Sequence, residues 1–538
     1  MLAPFSRALF DLLVERAART PDALAVVCRE RHASYAELLR RSRRVAAGLM
    51  ARGVSRGDRV GAVIANQLEW LELCFGTAAA GATFVPFSTW STRSELDFLI
   101  RDSEIKLLVS AARLGDRDYA ADLAELLPEL VLGQSSPRFP KLDAILLLEA
   151  SESDVFGRFE AMLGDDTGTR DLAPNVAASA GDDAFILYTS GSSATPKAVR
   201  LKHFGVVENG FNIGERMGLG PTDRVFLSAP LFWSYGSANA LPAALTHGGA
   251  LVLQPRFDAT RAIELIERHR CTAIYTLPAM TNAILGASGY ARERLATLRT
   301  GLTIGTPQDF MTAAQGLGAS ELCNIYGTTE TYGNCCVTSH RWPLELRAVC
   351  QGEPLPGNEL RLVDIETGAP VAPGEAGLCE VRGYITPGYT GASAEQNAST
   401  FTADGFYRTG DIGRFDEGGA FVFVGRNTEM IKRAGINVSP AEVETILRGH
   451  PGVAEAGVVG VPDVERGELV IAFVVTTGQA VTAAELIAHC RSTASKYKVP
   501  DRIEICDALP LTSTGKLQRR ELKHIASDRT AAKETRHG

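Results

Sequence analysis

Between Ser34 and Val109 the chain alternates amphipathic helical stretches with short apolar strands, and this alternation limits the fold more than any other feature. Ser34-Tyr35-Ala36-Glu37 reads as a capping box opening a helix to about Arg52, because a serine oxygen can accept an early amide while glutamate reaches back. A strand at Arg59 to Ile64, a helix at Glu69 to Ala80 stopped by Gly81, and a strand at Thr83 to Val85 follow. A short helix at Leu96 to Ile100 and a strand at Lys106 to Val109 repeat the unit. Such alternation implies parallel sheets covered by helices, an α/β class. At 538 residues the chain exceeds one ordinary core, so several packed units are expected.

Residues 132–182 mix Pro, Gly, Ser and Asp around one apolar run, Ala144 to Leu148, and read as a surface excursion. Short apolar strands resume from Phe185 to Ile365, with Ala262 to His269 the clearest helix. Near Gly425 the texture changes. Helices at Pro440 to Arg448 and Thr482 to Ala494, with strands at Val453 to Val461, Leu469 to Val475 and Arg502 to Cys506, describe a compact α+β unit.

No apolar run approaches the roughly 20 residues that cross a bilayer, and MLAPFSRALFDLLVERAA lacks the basic start and small-residue cleavage site of an export signal. A soluble cytoplasmic protein is expected. Ten scattered cysteines without paired spacing fit reduced thiols better than disulfides or a zinc site. A formal charge of -8 argues against general nucleic-acid binding, and the local run Arg40, Arg41, Arg43 and Arg44 fits the exposed side of a helix.

Four segments carry candidate chemistry: Thr189 to Lys197 (TSGSSATPK), Asn324 to Glu330 (NIYGTTE), Tyr407 to Asp411 (YRTGD), and Lys516 within PLTSTGKLQ. Each alone is an ordinary turn. Together, and with Gly305-Thr306-Pro307, GEPLPG at Gly352, GLCEVRG at Gly377 and GRNTEMIK at Gly425, the chain resembles the adenylate-forming superfamily of acyl- and aryl-CoA synthetases, adenylation enzymes and luciferases over nearly its whole length. The resemblance implies a large N-terminal domain of stacked β-sheets flanked by helices, residues 1–426. It also implies a small mobile α+β C-terminal domain, residues 427–538, hinged at Arg426 to Thr428.

Forming an acyl adenylate brings a carboxylate against the α-phosphate of ATP, so cations and amide donors must neutralise two anions while pyrophosphate leaves. Thr189, Ser190, Gly191, Ser192 and Ser193 suit a phosphate cradle, since small residues let backbone N–H groups approach, and Lys197 adds charge. The pattern is neither G-x-x-x-x-G-K-[ST] nor G-x-G-x-x-G. It carries Ala194 and Ala198 where the family more often has glycine, which should restrict loop motion. The resemblance assigns Gly305, Thr306, Pro307 and Tyr326 to adenine, with Asn324, Gly327 and Thr328 in the same nucleotide segment. It gives Thr329 to the α-phosphate, Glu330 to Mg2+, Asp411 and Arg426 to ribose, and Lys516 to the attacking carboxylate and α-phosphate. Lys432, Arg433, Ala434 and Gly435 belong by the same resemblance to the face that completes thioester formation with CoA, and Thr428 stands where a charged hinge residue is commoner.

Phe232, Trp233, Ser234, Tyr235, Gly236, Ile304, Tyr332 and Gly333 are acid-pocket candidates by motif position, with Trp233 where many relatives carry histidine. Residues 229–245 hold no acidic group, and a buried ammonium without a counter-charge would be costly, so a simple carboxylic acid is favoured over an amino acid. The expected reaction is ATP- and Mg2+-dependent acid:CoA ligation through an acyl adenylate. Loading of a carrier-protein pantetheine is the alternative; a non-catalytic adenylate sensor or a luciferase-type oxygenase are more distant ones. Expected partners are a small carboxylic acid, ATP and CoA, with a carrier protein or a second copy of the chain left open. Lys516→Ala should abolish acid-dependent pyrophosphate release while ATP binding by calorimetry stays largely intact; equal turnover would remove Lys516 from the chemistry.

Overall fold

A computed structural model of the chain describes residues 7–149, 156–163, 177–189, 196–433, 436–463, 466–494, 496–511 and 517–534. Two units emerge: residues 1–360 with 381–407, and residues 361–380 with 408–538.

The first unit is built on two sheets. One runs, strand beside strand, Cys336–Val337, Glu321–Tyr326, Thr300–Thr303, Ala273–Tyr275, Arg224–Leu227, Ala250–Leu253, Leu24–Cys28, Arg31–Ser34, parallel except at its two ends. The other runs Lys197–Lys202, Asp183–Thr189, Thr83–Pro86, Arg59–Val63, Leu107–Ser110, Ala144–Leu147, Gly157–Arg158, parallel except at the first hairpin. Consecutive residues of a strand serve opposite faces: Val225 and Leu227 enter one core, Phe226 another. The shared core includes Val60, Phe84 and Phe185 from one sheet, Val26, Val225 and Leu251 from the other, and residues of the helices Leu9–Arg19, Tyr35–Ala51, Leu68–Ala79, His203–Met217 and Leu241–His247. Separate cores cover the outer faces, giving α/β/α/β/α layers.

The expected alternation is present, with no element end shifted by more than three residues. Ser34 does cap its helix, accepting from Glu37 N–H at 3.2 Å, but Glu37 takes Arg40 and Arg41 Nε at 2.9 Å. Those guanidinium hydrogen bonds, Arg40 foremost, hold its carboxyl down to about 2. Charge-assisted bonds outcompete the neutral amide that would have closed the box. Arg41 also meets the buried Glu72, so the arginine run is partly committed to packing. The expected excursion at 132–182 is corrected in its described part: Ala144–Leu147 is a buried strand parallel to Leu107–Ser110, and Phe159 and Met162 are core residues.

The second unit takes most of a four-stranded sheet, Glu359–Val363, Gly377–Arg382, Tyr407–Phe415, Phe421–Arg426. It also holds a five-stranded sheet in which the long hairpin Val453–Asp463 and Gly467–Thr476 pairs onward with Ile431–Arg433 and Arg502–Ile505. Helices Pro440–Arg448 and Ala483–Thr493 share one core with this sheet, and Arg519–Glu534 shares another. Among the described residues no helix is long and apolar enough to cross a membrane.

His203, at the start of its helix, is buried and accepts Leu9 N–H at Nδ1, 3.3 Å. Burial pushes its ordinary value of 6.5 down to about 4. The unfolded chain therefore binds this proton first, and the contribution is lost as pH falls from 6.5 towards 4, by roughly 3 kcal/mol in full. Urea midpoints measured from pH 7 to pH 4 should fall less steeply in His203→Gln than in the wild type.

Candidate active site

In the first unit Thr189 and Lys197, the two ends of the Ser/Thr-rich segment, stand opposite each other across an antiparallel strand pair. Ser190, Gly191, Ser192 and Ser193 lie outside the described residues. Along the outer strand runs a segment the motif reading missed, Thr386 to Thr390: Tyr389 bridges Val199, and Thr390 N–H donates to Ala198 O at 2.9 Å. This brings the Tyr389 ring 5.0 Å from Lys197 Nζ and lets its hydroxyl donate to Glu330 Oε1 at 2.9 Å. Burial and the neighbouring Glu330 charge raise the Tyr389 pKa, keeping the hydroxyl protonated as donor. Glu330 itself is 8% exposed, and its carbonyl accepts Thr386 N–H at 2.6 Å.

Glu330 is delivered by the strand Glu321–Tyr326 and a sharp turn. A Cβ on Gly327 would stand 2.5 Å from both Asn334 Cα and Gly333 O, so only glycine passes there. Thr328 N–H then donates to Thr331 Oγ1 at 2.9 Å, and Thr329 Oγ1 sits 3.1 Å from Ser234 Oγ. Thr328 Oγ1 is buried with no hydrogen-bond partner among the described residues. Asn324 points inward, its amide donating to Arg347 O at 3.1 Å, while Tyr326 is 6% exposed at the strand's end. Thr306 caps the helix Pro307–Leu317 by accepting from Asp309 N–H at 3.2 Å, which leaves Gly305 and Pro307 exposed on either side.

Phe232 and Trp233 are joined by an aromatic residue absent from the motif reading, the half-exposed Trp90. Its ring centroid lies 5.3 Å from Phe232 and 5.2 Å from Trp233, both edge-to-face. The backbone carrying this pair is clamped by Asn66, which accepts Leu231 N–H at 2.8 Å and donates to Ala229 O at 2.9 Å. Residues 235–240 form a π-helix, a geometry frequent at functional sites. Tyr235 donates to Leu302 O at 2.8 Å beside Ile304, and Gly236 is tightly packed, its missing Cβ 2.5 Å from Pro230 O. Gly333 faces Ser234 and Asn239, whereas Tyr332 is fully buried, its hydroxyl accepting Lys202 N–H at 2.9 Å.

In the second unit Asp411 and Arg426 pair across adjacent strands, Arg426 Nε 3.2 Å from Asp411 Oδ1. Thr428 lies in the short 3-10 turn Asn427–Glu429. Lys432 is exposed, while Arg433 is drawn inward to Asp501 and to Val499 O at 2.7 Å. Ala434, Gly435 and Lys516 lie outside the described residues, but the ends of the Lys516 segment are anchored. Leu511 bridges Leu517, Gln518 N–H donates to Pro510 O at 2.8 Å, and Arg519 is held by Glu444 and by Val458 O at 2.9 Å.

The chemistry of the first-unit set suits Mg2+ bound mainly through phosphate and water: one buried carboxylate, oriented by a phenol, beside hydroxyls and a lysine. It suits a dedicated protein cage poorly.

The signature described as AMP-binding enzyme matches residues 13–390, and that of the AMP-binding enzyme C-terminal domain matches residues 442–516. The chain belongs to the AMP-binding enzyme family. A mouse (Mus musculus) relative, the mitochondrial medium-chain acyl-CoA ligase ACSF2, is 31% identical over 95% of this chain and 86% of its own. ATP-bound MatB from Rhodopseudomonas palustris superposes with a TM-score of 0.84 at 27% identity, covering 96% of this chain and 99% of that one. The anthranilate CoA ligase AuaEII in complex with anthranoyl-AMP gives 0.84 at 25% identity, covering 98% and 99%. The protein is an AMP-forming acid:CoA ligase.

Tyr389→Phe should lower acid-dependent pyrophosphate release about tenfold and raise the Mg2+ concentration at half-maximal rate, since one hydrogen bond to a charged group is lost. An unchanged Mg2+ titration would leave Tyr389 a packing residue only.

Proposed function

We propose that the acid activated here is monocarboxylic, without an α-ammonium group, and carries a bulky apolar or aryl body lying against Trp90, Phe232 and Trp233. What carries this reading is the edge-to-face aromatic cluster beside the Ser234–Thr329 hydroxyl pair. The absence of acidic side chains from 229–245 supports it against amino acids. The substrates for which those relatives are named, a medium-chain acyl group and anthranilate, are of the same broad kind.

Within the reaction, Thr189, Ser190, Gly191, Ser192, Ser193 and Lys197 hold the phosphates. Gly305, Thr306, Pro307, Asn324, Tyr326, Gly327 and Thr328 shape the nucleotide seat, and Thr329 donates towards the α-phosphate. Glu330, oriented by Tyr389, would hold Mg2+, which neutralises phosphate charge when bound. Asp411 accepts from ribose hydroxyls with Arg426 beside it, and Lys516 follows the charge as the carboxylate oxygen attacks phosphorus and the bond to pyrophosphate breaks. Lys432, Arg433, Ala434 and Gly435 serve the second step, in which a pantetheine sulfur attacks the acyl carbon and AMP leaves. We place the pivot between the two steps at Arg426 to Thr428, within the second packed unit, so that residues 1–426 act as one body and 427–538 as the mobile one.

The test is AMP and pyrophosphate release over aliphatic, aryl and polycyclic acids, with CoA or with a phosphopantetheinylated carrier protein. CoA-stimulated turnover of one apolar class is expected. Exclusive loading of the carrier protein, or preference for amino acids, would overturn the proposal.

A further inference from the structure

Asn239 sits in the π-helix Tyr235–Ala240, fully buried, and its amide is only half used. Oδ1 accepts the Tyr275 hydroxyl at 2.8 Å, whereas Nδ2 has no hydrogen-bond partner among the described residues. The assignment of oxygen and nitrogen follows from the phenol. Its other contact is the Met217 sulfur at 3.4 Å, a weak acceptor, so the single hydroxyl proton goes to the amide oxygen and leaves the NH2 group open. Tyr275 is in turn packed 5.0 Å from the Tyr235 ring, which fixes the amide plane from behind.

The open group lies beside Gly333, an acid-pocket candidate by motif position. A Cβ built on Gly333 would stand 3.6 Å from Asn239 Nδ2 and 3.4 Å from Ser234 O, ordinary contact distances, so glycine at 333 leaves room of about a methyl group there. Ser234 touches Thr329 on the same lining, and Gly333 is partly accessible. A buried amide donor left unpaired is costly, and an apolar substrate group would keep it unpaired. A second carboxylate is disfavoured, because residues 229–245 contain no cationic side chain to compensate it.

We propose that Asn239 Nδ2 is a specificity-determining donor, selecting acids whose body carries a neutral acceptor oxygen, a ketone or ether, at the depth of Gly333. The inference rests on the ligase reading above and adds to its apolar pocket one polar anchor. Such a site rejects the deoxygenated analogue more strongly than an apolar wall rejects an extra group.

The experiment compares kcat/KM for matched pairs of acids, identical except that a ring or chain CH2 is replaced by C=O or O, with ATP and CoA. The wild type should favour one oxygenated isomer over its parent by about 10- to 100-fold. The ratio should collapse to within about threefold of one in Asn239→Leu, and fall in Tyr275→Phe, where the amide is free to turn. Reading the ratio within each protein cancels any general loss of rate, and Tyr275→Phe, which deletes one oxygen, retains a readout should Asn239→Leu fold poorly. A wild-type ratio near one for every pair, or an unaltered ratio in both variants, would overturn the assignment while leaving the ligase intact. Absence of AMP formation with every acid would overturn both.

Discussion

Parallel strands that are apolar on both sides cannot leave either side wet, and this requirement sets the first unit's architecture. Two such sheets share one helical layer between them and need two more outside. Because Leu24–Cys28, Arg224–Leu227, Ala250–Leu253, Ala273–Tyr275, Thr300–Thr303 and Glu321–Tyr326 all run the same way, their carboxyl ends gather at one edge. The loops after Leu227, Thr303 and Tyr326 supply Trp233, Ile304 and Thr329, which is where open α/β sheets generally bind ligands. The gathering of these residues at one edge is thus a consequence of strand polarity before any particular side chain is chosen.

Once the edge is formed, polar groups within it must be satisfied or used. Glu330 is kept buried by the Tyr389 hydroxyl, and the Asn66 amide satisfies both a donor and an acceptor of the loop that presents Phe232 and Trp233. The second unit solves the same problem with charge: Arg519 joins Glu444, Glu429 and a strand carbonyl beside the segment that bears Lys516. Leaving either partner alone in such a place would cost several kcal/mol, so these pairs hold the geometry of their loops as much as they stabilise the units.

Contiguous motifs were legible because glycine, threonine and charged residues at short spacing limit what a backbone can do locally, as at Gly327 and Thr306. Trp90, Asn66 and Tyr389 were not, since each acts across a sequence separation that only folding closes, and nothing in FSTWS, IANQL or TPGYT marks them. Ala144–Leu147 was misplaced for a related reason. A five-residue apolar run has no period of its own, and its parallel neighbour Leu107–Ser110 identifies it as a strand. The Glu37 side chain shows the limit of local rules, drawn to Arg40 and Arg41 instead of its own helix end.

The sequence by itself determined the α/β class and, through the order of its short motifs, the family, because periodicity, turn residues and short spacings are local properties of the chain. Tertiary structure alone decided that Tyr389 orients Glu330, that Trp90 completes the aromatic cluster, and that Asn239 keeps an open donor beside Gly333. Those relations depend on which distant strands pair and which side chains then find each other's hydrogen-bonding groups. Pairing of that kind is settled by burial over the whole unit and not by any window of sequence.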